Sequence, residues 1–149
     1  MRGACMLFAW LLASAVTAAD DPVALQRGRE LFTGERALSG RIVGHAADLP
    51  VPASRCVNCH AIQPPAPGPA SSAPGTQAFG PVLTRSGLTQ ASSRRGGPAS
   101  RYDEAAFCRL LRTGIDPAHV IIPRAMPRYV LTDADCRALW VHLTEQSVR

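Results

Sequence analysis

Apolar positions at helical spacing occur in three stretches of this chain, and between them the pattern breaks on proline and glycine. The first stretch covers residues 23–32, where Leu25, Gly28 and Phe32 fall near one face. Asp21-Pro22 supplies the N-cap and first-turn proline of a helix start, and Gly34 can stop it. The second begins at Asp103, where "DEAAFCRLLRTG" sets Ala106, Phe107, Leu110 and Leu111 at helical spacing before Gly114. The third opens at Thr132, with Asp135 where a capping box usually has Glu, and carries Cys136, Leu139, Trp140 and Leu143 on one face. No segment alternates in a strand period. The expected fold class is all-α, with long loops.

The loops have their own signature. Residues 41–52 are irregular, and residues 63–100 are crowded with Pro, Gly, Ala and Ser, as in "QPPAPGPASSAPGTQ" and "SSRRGGPAS". Such composition cannot hold long helices, so these residues are expected to form surface loops around a short ordered piece near residues 79–88. Residues 63–78 read as an insertion. A further loop opens at Asp116-Pro117 and contains Pro123 and Pro127.

The first residues differ from all of this. Arg2 precedes apolar runs over residues 6–10 and 12–16, and Val16-Thr17-Ala18-Ala19 offers small residues before two aspartates. That pattern predicts a secretory signal peptide over residues 1–19, cut after Ala18 or Ala19, which would take Cys5 with it. The apolar run is shorter than the roughly 20 residues a membrane helix needs, so no membrane span is expected after cleavage. One domain, residues 20–149, would remain, exported to the periplasm and soluble.

Charge narrows the choice of partners. All sixteen basic residues are Arg; without Arg2, fifteen face eleven acidic residues, a net of +4. The arginines are scattered and accompany no nucleic-acid-binding motif, so nucleic acid is not an expected partner. A mildly basic surface can steer an acidic protein partner, or simply serve solubility.

The chemistry is concentrated in "SRCVNCHAI", residues 54–62. Cys56-Val57-Asn58-Cys59-His60 matches the haem c attachment signal. Two thiols separated by two residues can add to the two haem vinyl groups, and the adjacent imidazole of His60 then stands beneath the iron as its proximal ligand. A structural zinc site would need two close ligand pairs, whereas Cys108 and Cys136 stand singly on predicted helices. A thioredoxin-like site would need a β-α-β pattern. Haem attachment outside the cytoplasm also agrees with the export signal.

A second axial ligand could come from His45, His119, His142 or Met126. Read alone, Met126 in "IPRAMPRYV" could equally be a methionine filling a core gap. Over residues 24–146, however, the chain resembles a class I bacterial cytochrome c. The resemblance rests on the N-terminal helix with Gly28 and Phe32, on CVNCH, on Phe79-Gly80-Pro81, and on "LRTGIDPAHVIIPRAMPRYVLTDADCRALWVHL". It is poor across residues 64–76. It implies a cytochrome c-like fold, with helices and long loops wrapped around one covalently bound haem. It also implies that Met126 is the distal iron ligand, and that the Pro81 carbonyl accepts the His60 ring N–H. Where the family often has an aromatic residue in the last helix, this chain has His142, with Trp140 two positions earlier. His142 is therefore expected to pack rather than ligate, and His45 and His119 to face solvent from loops.

In an oxidising compartment Cys108 and Cys136 could pair, which would tie the second long helix to the last; two separate buried thiols are the other reading. A single haem ligated on both sides leaves no open iron position. The function expected is therefore single-electron transfer by Fe(II)/Fe(III) cycling between redox proteins, donor and acceptor docking transiently. Phe79, Leu83, Phe107 and Leu110 are candidate pocket walls. No constellation of catalytic residues argues for an enzyme. The alternatives are a haem c electron-transfer subunit of a periplasmic dehydrogenase or oxidase complex, and a haem sensor or peroxidase-like protein with a displaceable Met126.

Overall fold

The computed structural model describes residues 21–62 and 80–145. The expected signal segment, the 63–78 insertion and Phe79 lie outside the described residues. Helix α1 spans Pro22–Thr33, where Asp21 accepts a hydrogen bond from the Ala24 N–H and Gly34 ends the helix in the left-handed conformation. A three-residue strand β1, Ser39–Arg41, follows. Two single 3₁₀ turns come next, Val51–Ala53 and Cys56–Asn58. A short helix α2 covers Arg85–Thr89, capped by the Thr84 hydroxyl on the Gly87 N–H. Helix α3, Glu104–Thr113, is capped by Asp103 and stopped by Gly114. Strand β2 is Arg128–Val130, and helix α4, Asp133–Glu145, closes the described chain.

All three expected long helices are present, but the chain is not purely helical. Strands β1 and β2 pair antiparallel, with Ser39 opposite Val130, Gly40 opposite Tyr129 and Arg41 opposite Arg128. Three residues per strand leave too little alternation for a period-two signal, and the pairing joins segments about 90 residues apart. At Gly40 a Cβ would press into the Tyr129 ring, so glycine is what lets that ring lie across the strand pair.

The core lies where α4 crosses α1 and packs on α3. Gly28 allows the close approach, since any side chain there would collide with the Ala138 carbonyl and the His142 Cβ. Beside it Phe32 packs on the His142 ring at 5.6 Å between centroids, and the Arg27 guanidinium reaches the Asp135 carboxylate at 2.7 Å. Helix α4 is buried on more than one side. Leu139, Leu143 and Cys136 are buried as expected, and Ala138, Val141 and His142 are buried with them. Trp140, placed on the same face by its spacing, is only half-buried and leans on Phe107 at 5.6 Å.

At the start of α4, the Thr132 hydroxyl accepts the Asp135 N–H at 3.0 Å and lies 2.6 Å from the Asp135 carboxylate. An Asp is one methylene too short for the reciprocal arm of a capping box, and its carboxylate turns instead to Thr132 and Arg27. Cys108 and Cys136 form a disulfide between α3 and α4. Among the described residues, no helix is long and apolar enough to cross a membrane.

Candidate functional site

The 3₁₀ turn at Cys56–Asn58 is wound tightly by its own backbone. The N–H groups of Cys59 and His60 both donate to the Cys56 carbonyl, at 3.1 and 2.9 Å. The Asn58 side-chain amide ties the turn back to the Pro52 carbonyl at 2.7 Å. Cys56 and Cys59 are free thiols, half-buried, and His60 is buried.

Residues 80–83 run alongside this turn. The Gly80 N–H donates to the Cys59 carbonyl and the Leu83 N–H to the Ala61 carbonyl, each at 2.8 Å. These two bonds bring the Pro81 carbonyl 2.8 Å from His60 Nδ1. A side chain at Gly80 would collide with the imidazole, so the glycine gives the ring its space.

On the other side of the ring, His60 Nε2 lies 3.4 Å from the Met126 Sδ. A carbonyl can only accept, so Nδ1 carries the proton it donates to Pro81, and a neutral ring in that tautomer presents a lone pair at Nε2. The thioether sulfur is likewise an acceptor. In that form two lone-pair donors face each other across 3.4 Å and neither satisfies the other. An electron-pair acceptor bound to both would satisfy both, though bonds of about 2.0 Å to nitrogen and about 2.3 Å to sulfur require the two atoms to move about 1 Å farther apart; nitrogen with thioether sulfur is the His/Met donor set of cytochromes c.

Met126 is half-buried against the core and is set by a turn, its N–H donating to the Pro123 carbonyl at 3.2 Å. The Met126 carbonyl accepts from Arg128 Nη1 at 2.7 Å. The other three candidates for a second ligand lie elsewhere. His45 and His119 are exposed loop residues, and His142 is buried against Phe32 at the α1–α4 crossing.

Behind the thiols, Tyr129 on β2 donates its hydroxyl to the Ser54 carbonyl at 3.0 Å, and the buried Ser54 hydroxyl donates to the Leu38 carbonyl at 2.8 Å. Burial pushes the Cys56 thiol up to about 11. Burial also raises the Tyr129 phenol, and the neighbouring Cys56 and Cys59 add to the effect. A thiol that holds its proton at neutral pH is a poor exchange nucleophile, which counts against a redox-active C-x-x-C. Among the described residues, no three or more His, Cys, Asp or Glu side chains converge to hold a metal ion, so a four-ligand zinc site is not assembled there.

No protein-family model, curated protein or solved structure matches this chain. Its chemistry is therefore read from its own donor atoms.

Of the expected wall residues, Phe107 is buried and Leu83 and Leu110 are half-buried against the core. Three contributors had no role of their own assigned from the sequence. Gly80 gives space, Tyr129 backs Cys56, and Arg128 holds the Met126 carbonyl. The Gly80-Pro81 pair carried a signal, since a glycine before proline suggests close backbone approach. The Tyr129–Gly40 and Arg128 contacts depend on a distant strand pairing and had none.

Proposed function

We propose that the chain is a periplasmic mono-haem c-type cytochrome with a cytochrome c-like fold, carrying single electrons between redox proteins. The observation that carries the reading is that His60 Nε2 and Met126 Sδ face each other at 3.4 Å, with His60 directly after Cys59 of the C-x-x-C pair. Cys56 and Cys59 would hold the haem through thioether bonds, and His60 and Met126 would take the two axial positions. When bound, the haem supplies an iron that exchanges one electron between its ferrous and ferric states.

The protein's own groups set the conditions. The Pro81 carbonyl fixes the His60 ring and its tautomer and raises the donor strength of Nε2. The Met126 thioether favours the lower oxidation state. With His60 and Met126 both holding the iron, the chain would leave it no place for a substrate, which would suit electron exchange without a change of ligands. Donor and acceptor would be redox proteins docking transiently.

The test is the absorption spectrum of ferric protein matured with haem. The expected result is a weak long-wavelength sulfur-to-iron band that disappears in Met126→Ala, together with haem that stays attached after denaturation and is released from a Cys56→Ala/Cys59→Ala variant. A wild-type protein without that band, or a band that survives Met126→Ala, overturns the ligation.

A further inference from the structure

Arg128 occupies an expensive position. Its Nε is buried and makes no hydrogen bond, and among the described residues no carboxylate lies within ion-pair distance of its guanidinium. The side chain is half-buried, and a cation partly withdrawn from water without a counter-ion gains no stability from pairing. Ion pairing therefore does not explain why an arginine stands here.

Its contacts do. The guanidinium lies on the backbone at Gly114, where any Cβ would collide with Cζ, Nε and Nη2. Gly114 is the left-handed residue that ends α3. Its N–H donates to the Leu110 carbonyl at 2.7 Å, and its carbonyl accepts from the Ile122 N–H at 2.9 Å. The seat is thus held to the helix on one side and to the loop leading to Met126 on the other. The disulfide from Cys108 to Cys136 fastens α3 in turn to α4. From that seat Nη1 reaches the Met126 carbonyl at 2.7 Å, while the pairing of Arg128 with Arg41 fixes its own backbone in the β1–β2 pair.

We propose that Arg128 is the positioning residue for Met126: seated on Gly114, it clamps the Met126 carbonyl to the end of α3 and so keeps the thioether opposite His60. The inference rests on the haem ligation proposed above. Turns bounded by proline are stiff but can tilt as a unit, and the Met126 N–H bond to Pro123 lies within the same loop. Ile122 ties the start of that loop to Gly114, and Arg128 is the contact that carries the tie to Met126 itself. Without it, Met126 leaves the iron more readily, and an added anion takes its place more readily.

The test is a titration of ferric, haem-loaded protein with azide, read beside the long-wavelength sulfur-to-iron band and the urea midpoint. Arg128→Met is expected to bind azide about tenfold more tightly than wild type, the effect of losing one charge-assisted hydrogen bond. Its band should weaken, while its urea midpoint changes little. Arg128→Lys, a point donor without the planar fork, should fall between. Gly114→Ala, which removes the seat, should shift azide affinity in the same direction, and the double variant should go no further than the stronger single change. Unchanged azide affinity and an unchanged band in Arg128→Met overturn the proposal. If that variant does not mature, the same readouts in Arg128→Lys decide it. A wild-type protein lacking the band overturns the haem ligation itself, a different failure.

Discussion

The α1–α4 crossing and the Cys56–Met126 site are built by opposite rules. At the crossing, Gly28, Leu31 and Phe32 meet Ala138, Leu139 and His142 through apolar surface, and its one ion pair, Arg27 to Asp135, stands at the edge. At the site, the atoms that face each other are acceptors, His60 Nε2 and Met126 Sδ, held by backbone carbonyls and by glycines that leave room. The crossing gains stability from every contact it makes. At the site the two donor atoms are placed by the hydrogen bonds of their surroundings, the Pro81 carbonyl on one side and the Met126 turn on the other. Stability and chemistry are thereby lodged in different parts of a small chain, and substitutions should separate them.

The largest effect should come from cutting into the crossing. Phe32 is 2% exposed, and Phe32→Ala is expected to cost about 3–5 kcal/mol, from lost burial plus the cavity left behind. Urea unfolding measures it. In the fraction that remains folded, the sulfur-to-iron band of the haem-loaded protein should be unchanged, because Phe32 makes none of the hydrogen bonds that set His60 and Met126. A band that weakens in step with stability would mean that the two regions are one unit.

The disulfide joins the two regions and so tests the division between them. Cys108 and Cys136 are 28 residues apart, and closing a loop of that size contributes about 3 kcal/mol in the chain-entropy account. Cys108→Ala/Cys136→Ala should lower the urea midpoint by that order, and a reducing agent should do the same to the wild type. If the separation holds, the band persists at low urea in the variant. Its loss there would show that α3 must be fastened to α4 before Met126 is held.

How much of this was legible in the sequence follows the same division. The crossing could be read because helices announce themselves locally: Asp21, Pro22 and Gly34 bound α1, Asp103 and Gly114 bound α3, and the apolar spacing lies between. The site was legible only in its named parts. Cys56, Cys59 and His60 stand together in the chain, and Met126 was picked out by its Pro-bounded loop and by family resemblance. What holds them was not legible. The β1–β2 pairing brings residue 40 to residue 129 with strands too short to carry a period, and Arg128 reads in sequence as one more surface arginine. Helix α4 shows a milder form of the same limit. Its expected face included Trp140, but contact with α1, α2 and α3 buries it on more sides than one apolar stripe reports, and Ala138 and His142 gain their roles only from Gly28 opposite.

The smallest of these effects isolates the crossing's one buried titratable ring. Burial, and after it the positive charge of Arg29, pushes His142 from 6.5 down to about 4. The folded-state value is depressed, so between about pH 6.5 and pH 4 the unfolded chain binds a proton that the folded chain does not. Stability from this residue is fully present above pH 6.5, falls as the pH drops through that window, and levels off below it. The amount should be about 2 kcal/mol, allowing for partial solvation of the ring. Asp116 and Asp135, whose carboxylates are held below their ordinary value of 3.8 by hydrogen bonds and by Arg95 and Arg27, lose their contribution only at lower pH and leave this window clear. His142→Phe keeps a ring against Phe32 and removes the titration. Urea midpoints at pH 7 and pH 4.5 should therefore differ less in the variant than in the wild type. Equal differences would mean that His142 is solvated at the crossing, and that the apolar seam between α1 and α4 is wetter than its packing indicates.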